Sequence, residues 1–272
     1  MLEALAVAVA QFNPTRVVDD NLERMRSFAA LAAERDAQLV VFPEYSQAFE
    51  PELGAWMHEV AEPIDGAFAA GVKEIAHDLD IAIVAGMLEQ PASDSGEERP
   101  YNALIAVGAS GELLATARKL HLYDAFGATE SRWLQAGDPN AQPSVFTIDG
   151  LTFGLQTCYD VRFPEVSRRL VDAGAQALVI PAEWVRGPLK ERHWQTLLRA
   201  RAIENTVFVV AADHAPPIAI GHSCIIDARG IELALVGVNE GVAVAWLDAA
   251  QQLQVREVNP ALQLRRFGVT PQ

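Results

Sequence analysis

Cysteine is scarce: only Cys158 and Cys224 occur in 272 residues. With no CxxC pair and no framework spacing, they exclude a disulfide scaffold and fit a reduced, cytoplasmic setting. Positive charge is also short, with 21 Lys and Arg against 36 Asp and Glu, a net charge of −15 and a pI near 4.8. That balance argues against nucleic acid or an anionic membrane surface as the main partner. A small-molecule substrate stays open, because a pocket can carry the opposite sign locally. No apolar run approaches the ~20 residues of a membrane-spanning helix. The opening "MLEALAVAVAQF" has Glu3 where a secretion signal wants basic residues, and reads as a buried first strand. Phosphate-cradling GxGxxG and GxxxxGKS loops are missing. His58, His77, His121, His193, His214 and His222 never pair at HxxxH spacing or join a Cys or carboxylate ligand pattern, so neither a metal nor another cofactor is expected.

What is present is apolar: half of all residues, with a mean hydropathy of +0.11. A large core is available, and no stretch reads as an interdomain linker, so 1–272 is taken as one domain. Strand-like runs alternate with helical periodicity, the mark of an α/β chain. Strands are expected at 5–11, 38–42, 81–86, 101–107, 113–117, 151–157, 177–180, 207–212, 222–227, 231–236 and 242–247. Helices are expected at 21–35, 67–79, 164–173 and 189–204, with a loop at 89–100 and a polar tail. Asp149-Gly150 is a two-residue hairpin signal. "AQLVVFPE" (37–44) is echoed by "AQALVIPAEW" (175–184), which suggests two related α/β halves whose strands finish along one edge, where open α/β sheets place their sites.

Three polar residues stand just past strands: Glu44 after "VVFP", Lys119 after "LLATAR" and Cys158 after "TFGLQT". Taken singly, a strand-end Glu or Lys is surface and a lone Cys is a small core hydrophobe. Together they make chemistry. A carboxylate can take the thiol proton during attack, and an ammonium can lower the thiol pKa and stabilise an oxyanion. The backbone N–H of Tyr159, in the turn after the thiol, is a second oxyanion donor. Glu, Lys and Cys then serve as base, electrophilic stabiliser and nucleophile for acyl transfer.

"FPE" (42–44), "RKLHLYD" (118–124) and "TCYDVRFPE" (157–165) resemble, in order, the three signature blocks of the nitrilase (carbon–nitrogen hydrolase) superfamily. The likeness continues through "PAEW" (181–184), "HWQTLLRARAIEN" (193–205) and "GHSCIIDARG" (221–230), and is most similar to the Nit-type ω-amidase and deaminated-glutathione-amidase branch. The resemblance implies a four-layer αββα sandwich that pairs into homodimers or higher homo-oligomers. It implies Glu44 as general base, Lys119 as oxyanion stabiliser and Cys158 as nucleophile. It also implies Glu130, in "GATESRWLQAGD", as a second glutamate that holds the lysine.

Candidate substrate contacts are Tyr45, Tyr159, Arg162, Glu183 and Trp184. Arg162 either meets a substrate carboxylate or pairs internally with Asp160 or Glu165. Glu183 stands where the commonest Nit-type pattern has a small residue; an ionised Glu183 in the pocket favours a neutral or cationic substrate over a dicarboxylate monoamide. Cys224 reads as core, and Trp133, Trp194 and Trp246 as packing or interface aromatics. The leading expectation is a cysteine amidase acting on a small-molecule amide. The alternatives are an N-carbamoyl amine or amino-acid amidohydrolase and a non-catalytic protein that binds a small molecule or senses oxidants through its thiol.

Overall fold

Residues 4–92 and 96–271 are described by a computed structural model. The first three residues of the opening motif and positions 93–95 of the expected 89–100 loop lie outside the described residues. The first half of the chain runs β1 (Leu5–Gln11), α1 (Val18–Ala33), β2 (Leu39–Val41), α2 (Trp56–Val60), α3 (Ala67–Leu79), β3 (Ala82–Glu89), β4 (Tyr101–Val107) and β5 (Leu113–Arg118). The second runs β6 (Val145–Ile148), β7 (Leu151–Leu155), α4 (Pro164–Asp172), β8 (Ala177–Pro181), α5 (Lys190–Asn205), β9 (Phe208–Ala212), β10 (Ser223–Ile226) and β11 (Glu232–Val236). β12 (Gly241–Leu247) then returns to pair with β1, and α6 (Ala249–Val258) follows.

Two six-stranded sheets result, in the orders β12-β1-β2-β3-β4-β5 and β11-β10-β9-β8-β7-β6. Each has a parallel centre, β1-β2-β3 in one and β7-β8-β9 in the other. The echoed segments are the middle strands of those two centres, β2 and β8. Why the strands read as unbroken apolar runs is clear from their faces. Val7, Val9 and Val41 meet Phe153, Val179 and Val210 of the opposite sheet. The alternate residues Ala8, Val40 and Ile83 meet Met25, Phe68 and Val72 of α1 and α3. On the far side, Leu178, Ile180 and Val209 pack on Leu170, Trp194 and Leu198 of α4 and α5. Strands covered on both faces have no polar side to alternate with. The layers are therefore α-β-β-α, the expected sandwich.

The differences from the sequence reading are local. β3 runs on to Glu89, into the expected loop. α2 has five residues, too few to show helical periodicity. The expected polar tail contains α6, which buries only Ala249 and Gln252 and is started by Asp248, whose carboxylate accepts from the N–H groups of Ala250 (2.8 Å) and Gln251 (3.3 Å). The Asp149-Gly150 turn forms as expected: both residues have positive φ, 46° and 82°, as a type I′ hairpin requires. Among the described residues, no helix is long and apolar enough to cross a membrane.

Phe153 is fully buried between the sheets and stacks on Phe146 with ring centroids 5.3 Å apart. Phe153→Ala is expected to cost about 3–5 kcal/mol, read as a lower urea midpoint at constant m-value.

Candidate active site

Four strand ends converge. Glu44 lies three residues past β2, Lys119 directly follows β5, Cys158 lies three residues past β7, and Glu183 two past β8. All four line one pocket of about 250 Å³. A larger groove of about 990 Å³ lies between β5, α4 and the C-terminal tail, but none of these four groups lines it. The Glu44 backbone reaches its place by passing over Gly86, where a Cβ would come within 2.8 Å of Glu44 Cα and 2.6 Å of Tyr45 N.

Lys119 is 2% exposed. Its Nζ donates to Glu44 Oε1 (2.9 Å) and to both oxygens of Glu130 (3.0 and 2.9 Å). All three ammonium protons are thereby used. Glu130, on a single 3₁₀ turn, is buried rather than surface-exposed. It also accepts from the Tyr45 hydroxyl (2.6 Å) and the Tyr123 backbone N–H. Glu44 is held from two sides: Oε1 accepts from Asn102 Nδ2 (2.6 Å) as well as Lys119, and Oε2 accepts from the Glu183 N–H (2.7 Å). Oε2 thus keeps one lone pair without a donor.

Cys158 begins a short 3₁₀ helix and has φ +44°, an unusual conformation for a side chain that must project at a sharp turn. Two hydrogen bonds fix the turn. The Asp160 carboxylate accepts from the Thr157 N–H (3.2 Å), and the Asp160 N–H donates to the Thr157 carbonyl (2.9 Å). The thiol donates to the Glu183 carbonyl at 3.5 Å.

Burial and the charge of Glu44 push the thiol well above its ordinary range, with Lys119 offsetting only part. The lowered thiol pKa expected from the nearby ammonium is therefore not what the site has. The resting sulfur is a thiol, and readiness for oxidation through a standing thiolate does not follow. Burial and the neighbouring Glu130 charge also raise Glu44. Glu130 is lowered despite its burial, because Lys119 and the Tyr45 hydroxyl hold its charged form.

The remaining expected contacts divide. Tyr45 lines the pocket, yet its hydroxyl is committed to Glu130. Trp184 forms an aromatic wall, fixed by bonds from its N–H to Asp213 (2.7 Å) and from its indole to the Lys190 carbonyl (3.0 Å). Tyr159 lines the pocket beside Tyr123. Arg162 makes neither internal salt bridge that its sequence neighbours offered. Asp160 is taken by the His121 ring and by the backbone around it. The guanidinium instead lies 4.8 Å from the Trp184 ring centre and 5.6 Å from that of Phe126. Cys224 is core, with its thiol pushed up to about 12 by burial. Trp194 is core too, and Trp246 is exposed.

Asn102, Lys190 and His214 are not among the site residues expected from the sequence. Asn102 is a polar residue inside an otherwise apolar β4, which was a usable signal. His214 binds the Glu44 carbonyl through Nε2 (2.6 Å), and burial lowers it to about 4, so the ring is neutral. Lys190 opens α5, where a cation opposes the helix dipole. It is 6% exposed, its ammonium donates to the Tyr123 hydroxyl (2.7 Å) and sits 4.0 Å from the Phe126 ring centre. Neither Lys190 nor Arg162 has a carboxylate partner among the described residues, and both line the pocket. Burial and the Arg162 charge lower Lys190.

A carbon–nitrogen hydrolase family model matches residues 6–257. The chain is 38% identical to the deaminated glutathione amidase of Escherichia coli O157:H7 over 97% of its length and 98% of that protein. It is 31% identical to the omega-amidase NIT2 of Homo sapiens over 97% and 96%. Among solved structures it superposes on Nit3 of Saccharomyces cerevisiae, a member of branch 10 of the nitrilase superfamily, with a TM-score of 0.85, 26% identity and 97% coverage of each chain. It also superposes, with a TM-score of 0.77, 26% identity and coverage of 97% and 98%, on a variant of the amidase from Nesterenkonia sp. AN1. That structure has the acetamide moiety of fluoroacetamide added covalently at the active-site cysteine.

Alkylation of Cys158 by a small neutral reagent is expected to rise with pH, its midpoint above the ~8.5 of free cysteine. Peptide-resolved mass spectrometry checks it, and a midpoint below neutrality contradicts a protonated resting thiol.

Proposed function

The chain belongs to the carbon–nitrogen hydrolase family and is a cysteine-dependent amidase, and we propose that Cys158, Glu44, Lys119 and Glu130 carry its reaction. The observation that supports this most is the single cluster in which one buried ammonium is held by two buried carboxylates beside a thiol. The thiol has a raised pKa, and Glu44, raised as well, is the neighbouring base. Sγ attacks the amide carbon while its proton passes to the open lone pair of Glu44 Oε2. The carbonyl oxygen gains the electron pair and meets Lys119 Nζ and the Tyr159 N–H, which as a first-turn group has no intrahelical acceptor. Lys119 has no spare proton at rest, so one of its two bonds to Glu130 is given up to the oxyanion. The C–N bond then breaks, Glu44 returns its proton to nitrogen, and ammonia leaves. Water attacks the thioester, gives its proton to Glu44 and releases a carboxylic acid and the thiol.

The substrate we infer is a carboxamide whose acyl part carries a carboxylate. Lys190 and Arg162 support this: two cations on the pocket wall, one nearly fully buried, with aromatic faces and a phenol but no carboxylate partner among the described residues. An unpaired buried ammonium is costly unless a ligand pairs with it. Glu183 weighs little against this balance, because burial and the Glu44 charge push its carboxyl well above the usual carboxylate range. We further propose a homodimer, supported by Leu264 and Phe267 of the tail, 68% and 90% exposed, and a cytoplasmic location, supported by two free buried thiols.

Ammonia release from succinic acid monoamide is expected to vanish in Cys158→Ala. Its kcat/KM is expected to fall as pH drops through a Glu44 midpoint above the ~4.3 of a free glutamate, since only the carboxylate accepts the thiol proton. Lys190→Met is expected to raise KM for this anionic amide about tenfold or more and to change kcat little. Equal KM effects on butyramide contradict the carboxylate contact.

A further inference from the structure

Glu183 contributes twice through its backbone, by its N–H to Glu44 Oε2 and by its carbonyl to the Cys158 thiol. Neither contact uses the side chain. The carboxyl lines the same pocket as Lys190 and Arg162 and has no hydrogen-bond or ion-pair partner among the described residues. An acid of this kind, half-buried and facing a cavity, has a donor to offer while it is protonated and none once it ionises. We propose that the Glu183 side chain is a specificity determinant of this pocket: its carboxyl donates a hydrogen bond to the carboxylate of a substrate amide held by Lys190 and Arg162. This rests on the amidase reading above and assigns to one side chain a selection that the catalytic cluster does not provide.

The charges around Glu183 set the sign. From the catalytic cluster, Glu44 and Glu130 oppose its ionisation and Lys119 favours it; from α5, Lys190 favours it. Tyr45, Tyr123, Asp213 and the Cys158 thiol also face it, and a negative Glu183 raises each of them in turn. Burial is the largest influence, and with Glu44 it pushes the carboxyl well above the usual carboxylate range. While it is protonated the acid donates to a substrate anion. At higher pH it becomes a second anion facing the first, and the same residue repels what it selected. A charged-to-neutral comparison isolates this effect, because a neutral amide experiences the thiol and Glu44 titrations without a carboxylate to attract or repel.

The test uses the full-length protein and two amides of equal chain length, succinic acid monoamide and butyramide. The readout is the ratio of their kcat/KM values between pH 6 and 10. In the wild type the ratio is expected to fall with pH, approaching tenfold per unit beyond the Glu183 midpoint. In Glu183→Gln, a permanent neutral donor, that fall is expected to disappear. In Glu183→Ala the ratio at neutral pH is expected to drop about tenfold, the loss of one hydrogen bond to a charged group. A fall that persists unchanged in Glu183→Gln assigns the titration to Lys190 and overturns the proposal. So does a ratio that rises in Glu183→Ala, or a wild-type preference for 3-aminopropanamide that Glu183→Gln removes. Calorimetric binding of the two amides to Cys158→Ala, with and without Glu183→Gln, makes the same comparison without turnover. Absence of ammonia release from every amide, with selective anion binding retained, counts against the amidase reading and leaves Glu183 supported.

Discussion

A buried ammonium is the constraint on which the site depends. Lys119 sits under four sheet strands' ends with almost no contact with water, and three carboxylate oxygens satisfy it. Removing Lys119 would leave two uncompensated carboxylates inside the protein, and removing either glutamate would leave an ammonium proton without its acceptor, at a cost of several kcal/mol for the first and less for the second. That requirement explains why Glu130 is pulled inward from a loop and why Tyr45 and Tyr123 spend polar groups on it. It also sets the electrostatics. Burial and the Glu44 charge, only partly offset by Lys119, push the thiol up and couple its deprotonation to a proton transfer. The base is poised because it is crowded: Glu44 is raised by burial and by Glu130, yet Asn102 and the Glu183 N–H orient it.

Most of the architecture was legible because its determinants are local. Strands covered on both faces show as apolar runs of the right length, and Asp149-Gly150 has the chemistry that a tight hairpin needs. Glu44, Lys119 and Cys158 were legible because strand ends on one sheet edge are where side chains meet. What escaped depends on partners far away in sequence. α6 buries one small apolar face, so its periodicity is weak and only its Asp248 cap announces it. The fate of Arg162 turned on His121 taking Asp160, a contact 39 residues away. The thiol's protonation could not be judged from the presence of a lysine, because the same fold brings two glutamates to that lysine.

The pocket has two characters. Its floor is a proton-transfer cluster in which Lys119 and Glu130 are fully engaged and Glu44 Oε2 keeps one open lone pair. Its outer wall, from the start of α5 and the turn after Cys158, carries two cations in aromatic surroundings and one uncommitted acid. Chemistry lives on the strand ends, where the sheets fix positions, and selection lives on the loops and helix start that follow them. Glu183 belongs to both, since its backbone braces base and nucleophile while its side chain lines the pocket.

The central claim is that Cys158 carries the acyl group between the two halves of the reaction. Acid-quenching the protein during turnover of a carboxamide and mapping its peptides by mass spectrometry tests this directly. The account predicts an added mass equal to the substrate's acyl group on the peptide containing Cys158, and none on the one containing Cys224. Steady ammonia release with no adduct on Cys158, or an adduct that maps elsewhere, would contradict it.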